Sequence, residues 1–188
     1  IGVDNNFMPV CTFESIKNAS PPSVAFEDCS DILIEMQAIK SEEEIDNIRK
    51  ACKLSEEALK VGLEAVRVGM TETQLSLLIY NALNELGLTR RPPPISLSSG
   101  KPPAGGKATD KKIEKGDMIH IDFGGQYKQY ASDFTRNVII KGKPSKELER
   151  IYETVVDAEQ SAVKAVRPGV KASEIDSIAR EKMVKAGF

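Results

Sequence analysis

Apolar residues recur at helical spacing in four long stretches of the chain and alternate with polar residues in two shorter ones. The first long stretch opens at Ile39-Lys40-Ser41. Ser41 with Glu44 three residues on forms a capping box, and Ile45, Ile48, Ala51, Leu54, Ala58 and Leu59 keep one face to about Val66. A second helix is predicted over Glu72–Leu86, with Leu75, Leu78, Ile79, Ala82 and Leu83 inward and Gly87 as its stop. Two further helices are predicted over about Lys146–Val166 and Ser173–Ala186. Before them all, Ile1–Asp4 and Ser23–Glu27 read as strands, and Val10–Lys17 and Asp31–Met36 as helices. That opening resembles the tail of an α/β unit without its beginning. Pro92-Pro93-Pro94 leads into an extended segment, Ile95–Leu97, and a loop rich in Gly, Pro and Lys runs from Ser99 to Lys107. The alternating runs, Met118–Gly124 and Asp133–Ile140, are strands close enough to form a hairpin.

The pattern repeats. Ala65-Val66-Arg67-Val68-Gly69-Met70 returns as Ala165-Val166-Arg167-Pro168-Gly169-Val170, and the same offset joins Leu75 to Ile175, Leu78 to Ile178 and Gly87 to Gly187. Self-similarity at a fixed offset marks a duplicated unit. The first helix pair is followed by strands over about residues 88–141, so a second strand set is expected beyond Phe188.

Composition narrows the classes. Hydrophobic residues make up 40% and charged ones 29%, which is the balance of a globular protein and not of a disordered one. Lys plus Arg number 26 and Asp plus Glu 28, with no basic patch, so nucleic acid is not an expected partner. No apolar run reaches the ~20 residues of a bilayer span, so no membrane is expected either. Cys11, Cys29 and Cys52 are odd in number and scattered, which suits reduced thiols of a cytoplasmic protein.

The candidate chemistry lies in Asp122 and Asp133. A hairpin centred between Tyr127 and Lys128 sets the two directly opposite each other, about 5 Å apart on one face. Carboxylates that close repel, and a hard divalent cation between them removes the conflict. Spacing alone leaves two readings open: half of a metal site, or a pair of solvated hairpin aspartates.

Several segments, in order, resemble a known family. They are Ile39–Ile45, Lys115-Gly116-Asp117, Ile121-Asp122-Phe123-Gly124, Tyr130-Ala131-Ser132-Asp133-Phe134-Thr135-Arg136, Arg167-Pro168-Gly169 and the closing helix up to Gly187. Together they resemble the pita-bread metallopeptidases: prolidase, aminopeptidase P, creatinase and methionine aminopeptidase. The resemblance implies an α+β chain. Residues 1–38 would be the C-terminal part of a creatinase-type α/β N-terminal domain, which disfavours the methionine aminopeptidase branch. Residues 39–188 would be a pita-bread domain, first half plus second helix pair, incomplete at its C-terminus. It further implies that Asp122 binds one divalent ion and Asp133 bridges two, manganese or cobalt with zinc compatible. A histidine and two glutamates would complete the set beyond Phe188. The implied activity is hydrolysis of the peptide bond before proline in small peptides, by water that the two ions activate. The resemblance leaves room for a homodimer, although no apolar patch in the sequence marks the interface.

This chain departs from the family in the loop Ser99–Ala108, which is short and lacks the usual substrate-facing histidine. The one histidine, His120, shares a strand face with Asp122 and is either a support to that site or a half-buried strand residue. The departure keeps two alternatives in view: a metal-free pita-bread module that binds peptides or protein partners, and a creatinase-like hydrolase of a small non-peptide substrate. At the hairpin turn Gln129 replaces the family's usual glycine. Thr135 is expected to hydrogen-bond the Asp133 carboxylate. Arg136, on the opposite face, is expected to serve an ion pair, and Asp117 to start a strand. The lysines over Lys107–Lys115 and the Arg90-Arg91 pair read as solvated.

Overall fold

In a computed structural model, residues 1–89, 95–101 and 103–188 are described; the Arg90-Arg91 pair and the Pro92–Pro94 entry lie outside them. The chain divides into two compact units, Ile1–Arg49 and Lys50–Phe188.

In the first unit β1 (Gly2–Val3), α1 (Val10–Ala19), β2 (Glu27–Asp28) and α2 (Ser30–Ala38) follow one another, and β1 pairs with β2 in parallel. The predicted strand over Ser23–Glu27 is displaced to Glu27–Asp28. A turn closed by Val24 N–H on the Pro21 carbonyl (3.0 Å) takes up its first residues, and Phe26 stacks edge-on against Phe13 instead. The long helix α3 (Glu42–Ala65) begins at the capping box read from the sequence: Glu44 Oε2 accepts from Ser41 N–H (2.7 Å) and Ser41 Oγ from Glu44 N–H (3.3 Å).

In the second unit, α4 (Glu72–Glu85) starts on a further capping box, Thr71 with Gln74, and stops at Gly87, whose φ of +78° favours a residue without Cβ. The strands are β3 (Ser96–Gly100), β4 (Met118–Phe123), β5 (Gln126–Tyr127), β6 (Tyr130–Ala131) and β7 (Phe134–Ile139). β3, β4 and β7 form an antiparallel sheet with β4 central, and β5 and β6 form the hairpin tip. β3 reaches Gly100, so Ser99 belongs to the sheet and not to the expected loop. It pairs with Ile119.

The alternation along β4 divides the sheet into two faces. Ile119, Ile121 and Phe123 are buried with Leu97 against Leu75, Ile79 and Leu83 of α4 and Leu54, Ala58 and Leu59 of α3. Full burial of one such side chain stabilises by roughly 1.5–3 kcal/mol. The opposite face carries His120 and Asp122, both half-buried.

Two helices end the described chain, α5 (Lys146–Ala165) and α6 (Ala172–Lys185). The duplication is visible in the backbone. α3 and α5 end at Ala65 and Ala165, and α4 and α6 span Glu72–Glu85 and Ala172–Lys185. The turn glycines match as well, Gly69 at φ +88° with Gly169 at +87°, and Gly87 at +78° with Gly187 at +86°. Both closing caps also share one hydrogen bond, Leu88 N–H to Leu83 O and Phe188 N–H to Met183 O, each 3.0 Å.

Candidate metal centre

The β4–β7 ladder pairs Asp122 with Thr135 and Phe123 with Phe134, and the hairpin tip pairs Tyr127 with Tyr130. The turn residues are therefore Lys128 and Gln129, at φ +46° and +72°, the double positive φ of a two-residue hairpin turn. This corrects the expected register. The pivot lies one residue later, because both tyrosines enter the ladder and leave the polar pair to turn. Asp133 consequently lies diagonal to Asp122 on the same face, not directly opposite, at the ~7 Å of diagonal neighbours. That spacing eases the repulsion and still lets two carboxylates converge on cations. Asp122 is half-buried and Asp133 exposed. Among the described residues neither carboxylate accepts a hydrogen bond or forms an ion pair, and no three His, Cys, Asp or Glu side chains are grouped to hold a metal. Two unpaired carboxylates on one face of the sheet fit the oxygen-donor chemistry of a divalent ion.

The residues beside them hold the hairpin in place. Ser132 Oγ hydrogen-bonds Ser55 Oγ of α3 (2.8 Å) and accepts from Gly125 N–H (3.0 Å), in buried surroundings. A Cβ on Gly124 would lie 1.8 Å from the Ser132 carbonyl oxygen, so the chain passes here only as glycine. Arg136 finds its carboxylate in Glu56 (3.6 Å), and its guanidinium also stacks on the Phe134 ring, 4.8 Å from the centroid. The expected bond from the Thr135 hydroxyl to Asp133 does not form among the described residues; the register places Thr135 across from Asp122 instead. His120 Nδ1 lies 3.0 Å from Asn137 Oδ1, directly across the ladder.

A buried carboxylate behind the sheet escaped the sequence reading. Glu72, only 3% exposed, accepts from Ser99 N–H (2.6 Å) and Oγ–H (2.8 Å), and from Thr109 N–H (3.0 Å) and Oγ1–H (2.7 Å). Burial pushes its carboxyl up, but the bonds from Thr109 and Ser99 together outweigh it and hold the group below the usual glutamate range. The signal was present: Glu72 stands on the inward stripe with Leu75 and Ile79. Lys111 Nζ then links Ser99 Oγ to Asp117 Oδ2, 2.8 Å each. Burial raises the Asp117 carboxyl, and Lys111, the Glu114 N–H and the Lys101 charge bring it to a net lower value. Asp117 is thus a strand-entry anchor, as its position before β4 suggested. The loop after β3 is tied down by Gly105 N–H on Ser98 Oγ (2.9 Å) and by Ser96 Oγ on the Gly106 carbonyl (3.0 Å).

A groove of about 910 Å³ runs between this face and α5, lined by His120, Asp133, Thr135, Asn137, Tyr152 and Val155 among others.

The model of metallopeptidase family M24 matches residues 46–188. The Xaa-Pro dipeptidases of Pyrococcus horikoshii and Pyrococcus furiosus are each 34% identical over 165 residues, 87% of this chain and 47% of theirs. Among solved structures, an X-Pro aminopeptidase from Thermotoga maritima superimposes with a TM-score of 0.89 at 32% identity, over 100% of this chain and 53% of its own. Prolidase from Pyrococcus furiosus gives 0.86 at 32%, over 100% and 55%. The chain spans about half the length of the curated relatives it matches.

Proposed function

The chain belongs to metallopeptidase family M24, with that family's pita-bread fold, and on that premise we propose that it serves metal-dependent hydrolysis of the peptide bond before proline. The reading is supported by relatives named Xaa-Pro dipeptidase and prolidase. The observation that carries it is the pair Asp122 and Asp133, on one face of a rigid hairpin and without protein partners among the described residues. In this reading Asp122 and Asp133 would hold the divalent ions through their carboxylate oxygens. Manganese or cobalt is expected, with zinc compatible. Such ions, when bound, acidify a water and polarise a carbonyl oxygen. The protein's part is to hold the carboxylates still through the Ser55–Ser132–Gly125 bonds and the Arg136–Glu56 pair. Residues 1–38 are proposed to close an α/β N-terminal domain, and 39–188 to form the pita-bread domain. The setting is cytoplasmic, the substrate a small peptide and the assembly a homodimer. Among the described residues no helix is long and apolar enough to cross a membrane.

The short, histidine-free loop pinned to Ser96 and Ser98 favours a second reading, a creatinase-like hydrolase of a small non-peptide substrate.

Metal stoichiometry after manganese dialysis and gel filtration, with Asp133→Ala in parallel, tests the proposal. Bound manganese that is lost in the variant supports it and leads to Xaa-Pro peptide assays. Near zero in both proteins removes the hydrolase reading and leaves a metal-free binding module.

A further inference from the structure

Resting on the peptidase reading above, we infer that Lys107 sets the substrate class of this site: its ammonium pairs with the free C-terminal carboxylate of a dipeptide, so that dipeptides are preferred to longer or amidated peptides. An isolated antiparallel bridge joins Lys107 to Ser96, Ser96 pairs with Asp122, and Asp122 pairs with Thr135. Residues directly opposite each other in antiparallel strands project to one face, so these four stand in a single row across the sheet. Their neighbours agree. Leu97 and Ile121 are buried on the helix side, and Ala108 packs against that same core. Alternation along the backbone then sends Lys107 to the side of Asp122. The loop is held to this row, because Ser96 Oγ donates to the Gly106 carbonyl (3.0 Å) and Gly105 N–H donates to Ser98 Oγ (2.9 Å). Two strand spacings separate Lys107 from Asp122, roughly 10 Å between backbones. One peptide residue advances about 3.5 Å, and the four-carbon lysine stem covers most of the remainder. A peptide carbonyl held at Asp122 therefore leaves a carboxylate one residue further on within reach of the ammonium. In a longer peptide a neutral amide stands there instead. Lys107 is exposed and forms no ion pair or side-chain hydrogen bond among the described residues. A Cβ added at Gly105 or Gly106 would meet nothing within 4 Å, so the approach to it is open.

The test compares binding of the dipeptide Ala-Pro with that of its C-terminal amide. Ligand-observed NMR with zinc present reads both affinities for the 188-residue protein and for Lys107→Met and Lys107→Arg. Wild type and Lys107→Arg should bind the free acid about 3–10-fold more tightly than the amide. Lys107→Met should bind the two alike, and the wild-type preference should shrink at high salt. An affinity for the amide that stays the same in all three proteins shows that the substitutions act on the carboxylate and not on the fold. Wild type that binds both peptides alike, or a preference retained in Lys107→Met, would overturn the inference and leave the peptidase reading standing. Wild type that binds neither peptide would overturn both.

Discussion

Replacing Glu72 by glutamine keeps the shape of the side chain and removes its charge. The four hydrogen bonds it accepts come from two fixed backbone N–H groups, of Ser99 and Thr109, and two rotatable hydroxyls. The hydroxyls can turn to accept from the new amide. The backbone donors cannot, and one of them must face the amide's NH₂. The loss is one bond to a charged acceptor, about 1.5–3 kcal/mol, plus an orphaned buried N–H at about 1–3 kcal/mol. Relief of the charge's burial offsets part of this, leaving a net destabilisation of about 2–4 kcal/mol. For a chain of this size that lowers Tm by roughly 4–16 °C. Urea unfolding followed by circular dichroism measures it as a lower midpoint at unchanged slope. The pH dependence supplies an internal check. The folded-state carboxyl is lowered from its ordinary 4.5, so its contribution is present above that value and disappears as pH falls through the folded-state value. The gap between wild type and Glu72→Gln should therefore be full at pH 7 and close below pH 4.5. A variant within about 0.5 kcal/mol of wild type at pH 7, or a gap constant down to pH 3, would refute the structural role of this carboxylate.

Three further outcomes are expected. Gln129→Gly should stabilise by about 1 kcal/mol, because it relieves a side chain held at φ +72°; an unchanged or lower Tm would speak against the two-residue turn. Gly124→Ala should cost more than about 3 kcal/mol, since its Cβ lands 1.8 Å from a backbone oxygen and the Ser132 bonds must break; a soluble variant with wild-type Tm would contradict the register. Gly62→Ala should destabilise by about 1–3 kcal/mol through overpacking, its Cβ meeting Ile79 Cγ1 at 2.4 Å, and an unchanged urea midpoint would show that α3 and α4 approach less closely than this contact requires.

What was legible in the chain was local or periodic. The capping box at Ser41 and Glu44, the stop at Gly87 and the paired helices at an offset of 100 all depend on residues within a few turns of one another, and each appears where the pattern put it. The face shared by Asp122 and Asp133 was legible too, because alternation along a strand survives a change of pivot by one residue. The register that sets them diagonal instead of opposite was not, since it follows from which residues accept positive φ and from the clamp of Ser132 on Ser55, 77 positions earlier. Glu72 looked like an ordinary first-turn carboxylate until the fold brought Ser99 and Thr109 to it. His120 gained a side-chain partner only when β7 set Asn137 across from it. The sequence by itself determined the helices, the duplication and the face on which the carboxylates stand, because short-range periodicity and capping encode them. Only the tertiary structure decided the register, the partners of the buried charges and the orientation of the imidazole, because those depend on contacts between residues far apart in the chain.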